Sequence, residues 1–430
     1  MPISLATQLS NFLSTLPTTQ HIWIAYSGGV DSHVLLHLLA QQPPSATVHA
    51  IHIHHGLQAQ ADDWAQHCSR VCQQLNIDFH LIHVDIDIDS GDSIEALARD
   101  ARYDAIQHLI SENDIVLTAQ HADDQTETVL LQLFRGSGVA GLAAMPSFIQ
   151  FGQGWLGRPF LHCSRQQIVE YAKAKQLRWV EDGSNQDTRF ERNFLRHEMI
   201  PALSQRWPQI NQALGRVAQH QAEANTLLQE LAEQDLQLCQ TPQQNLDITA
   251  LQTLSEARQR NVIRYWLKIK NFIMPSTLHL QQILTECIQA KQDAQPLIKW
   301  ANVEVRRYQN TLFAMSELPQ PPTGLVFDWH PQQTLDLPIG QLQAHFGNGA
   351  ILETTLQVKF RQGGEKLYLR GHTRNVKKLL QQSHILPWLR PFLPLIYYKN
   401  QLVAIPNIGV DEQFQALLQD DITIKWVISA

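Results

Sequence analysis

A chain of 430 residues, 44% hydrophobic and 17% charged, can bury substantial cores and is long enough for two to four packed domains rather than one. Its formal net charge of −7, from 33 basic and 40 acidic side chains, excludes a uniformly basic nucleic-acid binder but leaves local patches open. No run approaches the roughly 18–20 uninterrupted apolar residues of a membrane span, and "MPISLATQLSNFLSTLPTTQ" has neither the basic flank nor the apolar block of a signal peptide, so a cytoplasmic protein without a membrane partner is expected.

From about 22 to 134, apolar β-rich runs alternate with helical periodicity: "IWIAY" precedes a helix over 31–41, "ATVHAIHI" one over 62–75, "FHLIHVDI" one over 93–111 and "DIVLTA" one over 124–134. That rhythm predicts an α/β fold, a doubly wound parallel sheet covered by helices on both faces, with ligands at the C-terminal strand ends. The first strand runs into "AYSGGVDS" (25–32). There Ser27, Gly28, Gly29, Val30, Asp31 and Ser32 would turn backbone N–H groups into one concavity at a helix N-terminus, which is a phosphate cradle. The loop has no Gly-Lys-[Ser/Thr], so its chemistry differs from transfer of a terminal phosphoryl group.

Cys68 and Cys72 form a C-x3-C on the second predicted helix and read as half-buried helical thiols; with Cys163, Cys239 and Cys287 they supply no disulfide framework and no four-ligand metal site. "HIHHGLQ" (52–58) sets His54, His55 and Gly56 after the second strand. "SIEALARDARY" (93–103) puts Glu95, Arg99 and Arg102 on one helical face, where guanidiniums could clamp phosphate. "TAQHADDQTET" (118–128) leads from a strand end into a helix through His121, Asp123, Asp124 and Glu127. Carboxylates so crowded repel one another unless cations share them, and Mg²⁺ or a substrate ammonium would serve. "EDGSNQDTRFERNFLRHEMIP" (181–201) adds Arg192, Asn193 and Arg196.

Residues 160–235 read as mostly helical, and the Gln- and Leu-rich stretch 216–300 as long amphipathic helices. "LPQPPTG" (318–324) is the clearest linker, because three prolines in four positions continue neither a helix nor a central strand. Beyond it, strands are expected near 354–360 and 394–405 and a helix near 374–383. Between 359 and 390, Lys359, Arg361, Lys366, Arg370, Arg374, Lys377, Lys378 and Arg390 face Glu365 alone, a local charge of +7. The domains expected are 1–215, catalytic, with a helical extension from about 160; 216–317, helical; and 325–430, a small α+β domain.

"SGGVDS" resembles the pyrophosphate loop of the ATP pyrophosphatase (PP-loop) superfamily, whose members split ATP between the α- and β-phosphates. With HHGL, ExxARxxRY, HxDDQxET followed by RGSGxxGL, and SNxDxxxxRNxxR in this order, the chain is similar to the bacterial tRNA(Ile)-lysidine synthetase family, densely over 22–201 and again at "RQGGEKLYLRGHTRNVKKLL" and "LPWLRPFLPLIYY". Gln120 and Ala122 depart from the family pattern. The resemblance implies a ligase that uses ATP and Mg²⁺ to join free L-lysine to C2 of the wobble cytidine in the CAU anticodon of tRNA(Ile), through an adenylated intermediate. Carried onto these positions, it places ATP on Ser27–Ser32 with His54, His55, Gly56 and His121; Mg²⁺ on Asp31 with Asp123 or Asp124; and charge stabilisation on Arg99 or Arg102. Lysine recognition and proton acceptance fall to Asp124 and Glu127, further substrate contacts to Arg192, Asn193 and Arg196, and tRNA contacts to Arg370, Arg374, Lys377 and Lys378. A homodimer is left open. The nearest alternative is a PP-loop tRNA thiolase, which needs a sulfur-carrying thiol near the loop or a cluster-holding C-x2-C; Cys68 and Cys72 are the only candidates.

Overall fold

The computed structural model describes residues 4–56, 58, 60–86, 94–291, 294–347, 354–418 and 422–428. By its internal contacts the chain forms two units, Met1–Leu228 and Gln229–Ala430.

In the first unit, helix α1 (Leu5–Ser14) precedes four β–α repeats: β1 (His21–Ala25) and α2 (Val30–Gln41), β2 (Thr47–His54) and α3 (Ala61–Leu75), β3 (Asp78–His83) and α4 (Ile94–Leu109), β4 (Ile115–Leu117) and α5 (Ala122–Phe134). A short helix α6 (Val139–Leu142) and a hairpin, β5 (Phe148–Phe151) and β6 (Gly154–Gly157), follow. The sheet order is β3-β2-β1-β4-β6-β5, parallel except for the β5–β6 pair. The chain reverses direction across the sheet between β1 and β4, so the β1–α2 and β4–α5 loops open side by side at the C-terminal strand ends.

Strand alternation divides the core. Ile22 and Ile24 pack with α2, while Trp23 packs with Ile106, Val116 and Leu156 in a second cluster. Helix α2 is buried nearly all round, with Val34, Leu35, Leu36 and Leu39 fully inside. Each such side chain contributes roughly 1.5–3 kcal/mol, enough to fix the helix behind the phosphate loop. Helix α3 buries Ala61, Ala65, Cys68 and Cys72 along one stripe. The two thiols are fully rather than half buried, and burial pushes both up to about 12, so they act as small apolar side chains.

Helix α7 (Arg165–Ala174) buries Ile168 and Ala172, as their spacing predicts. Then α8 (Glu191–Phe194), a π-helical turn over Leu195–Met199 and α9 (Ile200–Arg206) lead to the 30-residue α10 (Ile210–Cys239).

The second unit keeps its helices at Ile248–Thr253, Glu256–Ile269 and Thr277–Gln282, the last running into a π turn over Ile283–Ile288. The structure adds to them a four-stranded antiparallel sheet, β7 (Leu246–Asp247), β10 (Thr311–Ser316), β9 (Val303–Tyr308) and β8 (Leu297–Trp300). Buried Arg307 donates to the carbonyls of Cys287, Ile288 and Ala290, satisfying the end of that π turn. After the irregular 317–325, a five-stranded and a three-stranded antiparallel sheet surround a core of Leu356, Val358, Leu395 and Ile396. The single strand expected over 394–405 is a hairpin, because Lys399 and Asn400 both take positive φ and turn the chain.

His33 on α2 is 5% exposed, and burial, with His67 and His37 nearby, pulls its imidazole down to about 4. The unfolded chain therefore binds this proton more readily, so the stabilisation is complete above about 6.5 and drains away as pH falls toward 4, by roughly 3 kcal/mol in full. Melting temperature should fall over that window, and His33→Gln should flatten the fall; parallel curves for both proteins would contradict this assignment.

Candidate active site

The loop after β1 is fixed from below. Tyr26 is buried and donates its N–H to the Ile51 carbonyl at 2.8 Å. Ser27 N donates to Ser32 Oγ at 3.2 Å, and Ser32 Oγ donates to the Gly29 carbonyl at 3.1 Å, which closes the turn onto the first residues of α2. Gly28 has φ +84°, and a Cβ there would lie 2.9 Å from Cys68 Sγ and 3.5 Å from Val180 Cγ2. Its carbonyl accepts from Val180 N at 3.0 Å. Only glycine fits between α3 and Val180, and the contact explains a cysteine that sequence reasoning left without a role.

Beside this loop, His121 caps α5 and is 2% exposed. Its Nε2 lies 3.7 Å from Asp31 Oδ1 and 3.4 Å from Asp124 Oδ2, and its Nδ1 lies 3.6 Å from Asp123 Oδ2. Burial alone would favour a neutral ring, but Asp124, then Asp31 and Asp123, hold the imidazole above its ordinary value. Asp31 is the reciprocal case: burial would raise its carboxyl, and His121, with Arg165 and Arg196 farther off, brings it below the usual range.

Arg196, on the π turn, completes the cluster. Its Nε and Nη2 donate to the two Glu127 oxygens at 2.7 and 3.0 Å, and Nη2 also reaches Asp124 Oδ1 at 3.2 Å. Glu127 is fully buried; burial raises its carboxyl and the guanidinium limits the rise. Both Asp123 oxygens are occupied, one by Arg165 N at 2.9 Å and one by Asn211 Nδ2 at 3.0 Å, so Asp123 ties α5 to α7 and α10. Asp31 differs. Its Oδ1 is buried and accepts no hydrogen bond, and an unsatisfied hard oxygen beside a phosphate loop fits Mg²⁺, which takes one or two carboxylates together with substrate phosphates.

A cleft of about 380 Å³ opens over the strand ends, lined by Ser27, Gly29, Asp31 and Asp124 and by His54, His55, Arg102, Tyr103, Gln120 and Asp182. His54 is also bound to Asp62 at 3.0 Å, and Gly56 supplies the positive φ (+64°) that ends this segment. His55 Nδ1 is buried without a hydrogen-bond partner; burial, then Arg102 and His54, lowers its ring. Arg102 lines the cleft, whereas Arg99 lies over the Tyr103 ring, 5.2 Å from its centroid. The Glu95 side chain falls outside the described residues. Gln120, the departure noted above, accepts from Thr118 Oγ1 at 2.6 Å and from Arg158 Nε at 2.8 Å, which aims its amide at Tyr103. Arg158 carried no signal in the sequence because it lies outside every motif. Arg192 stands on α8, and buried Asn193 donates to the Asp187 carbonyl at 3.0 Å, holding the preceding loop.

In the second unit the basic segment divides by role. Lys359 lies over the Tyr397 ring, Arg361 pairs with Glu365 and Arg390 donates to the Ile385 carbonyl. Lys366, Arg370, Lys377 and Lys378 are exposed and Arg374 half-exposed, on a two-stranded ribbon and the first turn of the helix Val376–Gln382. Cations at a helix N-terminus oppose its dipole, so the cluster is not there for the helix's stability.

Comparisons with known proteins agree over most of the chain. Residues 1–203 match the family description "PP-loop domain", 246–313 "TilS substrate binding domain" and 356–426 "TilS substrate C-terminal domain". The protein from Coxiella burnetii named tRNA(Ile)-lysidine synthase is 42% identical over 420 residues, covering 95% of this chain and 93% of that one. The proteins of that name from Pseudomonas putida and Legionella pneumophila are 41% and 37% identical; the former covers 94% of this chain and 95% of its own, the latter 94% of each.

Gly28→Ala should strain the loop against Cys68 and cut ATP-dependent turnover at least about tenfold, because a displacement of a few tenths of an ångström misplaces the phosphates. Turnover and ATP affinity equal to those of the unaltered protein would contradict this seating.

Proposed function

The chain belongs to the tRNA(Ile)-lysidine synthase family, and from that premise we propose that its first unit ligates L-lysine to the wobble cytidine of a CAU anticodon at the expense of ATP. The observation that carries the reading is a lysine-free phosphate loop whose Asp31 shares buried His121 with Asp124, both carboxylates lining one cleft.

The phosphates of ATP rest on the N–H groups of Ser27–Ser32, where the dipole of α2 favours an anion. Asp31 Oδ1 would hold Mg²⁺, which when bound offsets charge on the phosphate oxygens. The C2 carbonyl oxygen of the cytidine attacks the α-phosphorus, the bond to pyrophosphate breaks, and AMP remains on the cytidine oxygen. Arg102, the guanidinium that lines the cleft, faces the charge that develops on the α-phosphate. The ε-amine of lysine then attacks C2, the C2–O bond breaks and AMP departs.

Free lysine carries its amine as an ammonium, with an unperturbed pKa of about 10.4. Asp124, which lines the cleft, receives that ammonium and accepts its proton. Glu127 acts one step back: with both oxygens bound by Arg196, it orients the guanidinium that holds Asp124. Through electrostatics alone the exposed Lys366, Arg370, Arg374, Lys377 and Lys378 would engage RNA phosphates and orient the tRNA. Cys68 does lie beside the loop, but it is fully buried with its thiol pushed up to about 12, and no C-x2-C occurs, which argues against the thiolase alternative.

Mass analysis of nucleosides from a CAU-anticodon isoleucine tRNA incubated with ATP and labelled lysine should find the label on cytidine; its absence there would overturn the reading. Asp31→Asn should lower ligation by about 10²–10³ with RNA affinity retained, and unchanged ligation would remove Asp31 from the chemistry. Replacing Arg374, Lys377 and Lys378 together by Ala should weaken RNA binding and reduce the slope of log affinity against log salt by roughly 2–3. An unchanged slope would place the RNA phosphates elsewhere.

A further inference from the structure

Three phenyl rings on α5 and α8 serve neither core. Phe134, the last residue of α5, is 61% exposed, Phe190 at the start of α8 is 37% exposed and Phe194 is 45% exposed. Phe190 and Phe194 are four residues apart on one helical turn, joined by the Phe194 N–H to Phe190 carbonyl bond at 3.0 Å, so they share a face. Arg135 Nη2 donates to Glu191 Oε2 at 2.8 Å, which fixes the end of α5, beside Phe134, against the start of α8, beside Phe190.

The position of this aromatic group relative to the chemistry is set by the same backbone. Phe194 lies two residues before Arg196, about 3 Å along a helix axis and on the opposite side of the turn from the face on which Arg196 holds Asp124 and Glu127. Leu195 between them is buried and anchors the turn against Leu130 and Ile200. Around the rings stand guanidiniums: Arg135, 61% exposed and paired with Glu191, and Arg189, 89% exposed and paired with Asp187. Exposed rings interleaved with arginines suit unpaired bases on a phosphate backbone, since every base has a π-face and every linkage a negative charge.

We propose that Phe190 and Phe194, with Phe134 beside them, form a stacking platform for the unpaired bases that flank the reacting cytidine, holding the loop open while that base enters the cleft. The proposal rests on the lysidine reading above and deepens it. The phenylalanines are positioning residues and touch no reacting atom.

The test uses the full chain and a fluorescent CAU anticodon stem-loop, read by anisotropy, with lysine ligation, ATP affinity and thermal melting measured in parallel. Phe194→Ala should weaken stem-loop binding about tenfold, and Phe190→Ala with Phe194→Ala further. ATP affinity and melting temperature should stay unchanged, because the rings are exposed, and Phe194→Trp should restore binding. A stem-loop with abasic nucleotides beside the cytidine should bind weakly and no longer distinguish Phe194→Ala from the unaltered protein. Equal affinities for the intact stem-loop would overturn the platform, as would a loss of affinity that the abasic loop leaves in place. A double variant that alters only the sedimentation of the protein would assign the rings to self-association instead. Failure of the unaltered protein to ligate lysine would sink the catalytic reading, while the binding comparison would still decide the platform.

Discussion

Crowded negative charge is the constraint on which the first unit depends. Asp31, Asp123 and Asp124 all lie within 3.7 Å of one buried imidazole, and Asp124 and Glu127 share one guanidinium. Left unpaired, such carboxylates would repel one another and lose hydration. His121 and Arg196 offset both effects and in doing so join three separate pieces of chain: the phosphate loop before α2, the first turn of α5 and the π turn after α8. Asp31 and Asp124, the two carboxylates of this cluster that line the cleft, are held in register by that shared neutralisation.

The π turn over Leu195–Met199 carries both groups: Leu195 lies in the core while Arg196 reaches back to α5. Irregular helical geometry of this kind commonly marks functional positions. Asp123 plays the complementary part. With both oxygens committed to Arg165 and Asn211, it fastens α5 to its neighbours and leaves the cleft to Asp31 and Asp124.

The β–α rhythm over 22–134 was legible because each repeat carries its own periodicity, and the elements fall within a few residues of their expected positions. The loop was legible for a different reason: Gly-Gly between a strand and a helix has few other uses. Less visible were features made by contacts between distant segments. Nothing near Cys68 announces that its sulfur closes the space above Gly28, and nothing near Arg158 announces a bond to Gln120. The sheet in the second unit escaped because short strands such as Leu297–Trp300 sit within Gln- and Leu-rich text whose average reads as helical. Glu127 and Asp124 look interchangeable in sequence, three residues apart at a helix start, and only their burial and bonding separate a buried partner of Arg196 from a carboxylate open to the cleft.

The charge balance extends to the substrate. In the proposed reaction, a loop that offers backbone donors but no lysine would hold the departing end of ATP without pulling the terminal phosphoryl group away, and Asp31 and Asp124 would meet a cation and an amine rather than a second phosphate. Identification of the spent nucleotide tests this most directly. With ATP, lysine and a CAU-anticodon tRNA, the account predicts AMP and pyrophosphate in equal amounts, formed only when the RNA is present. ADP and orthophosphate as the products would contradict it.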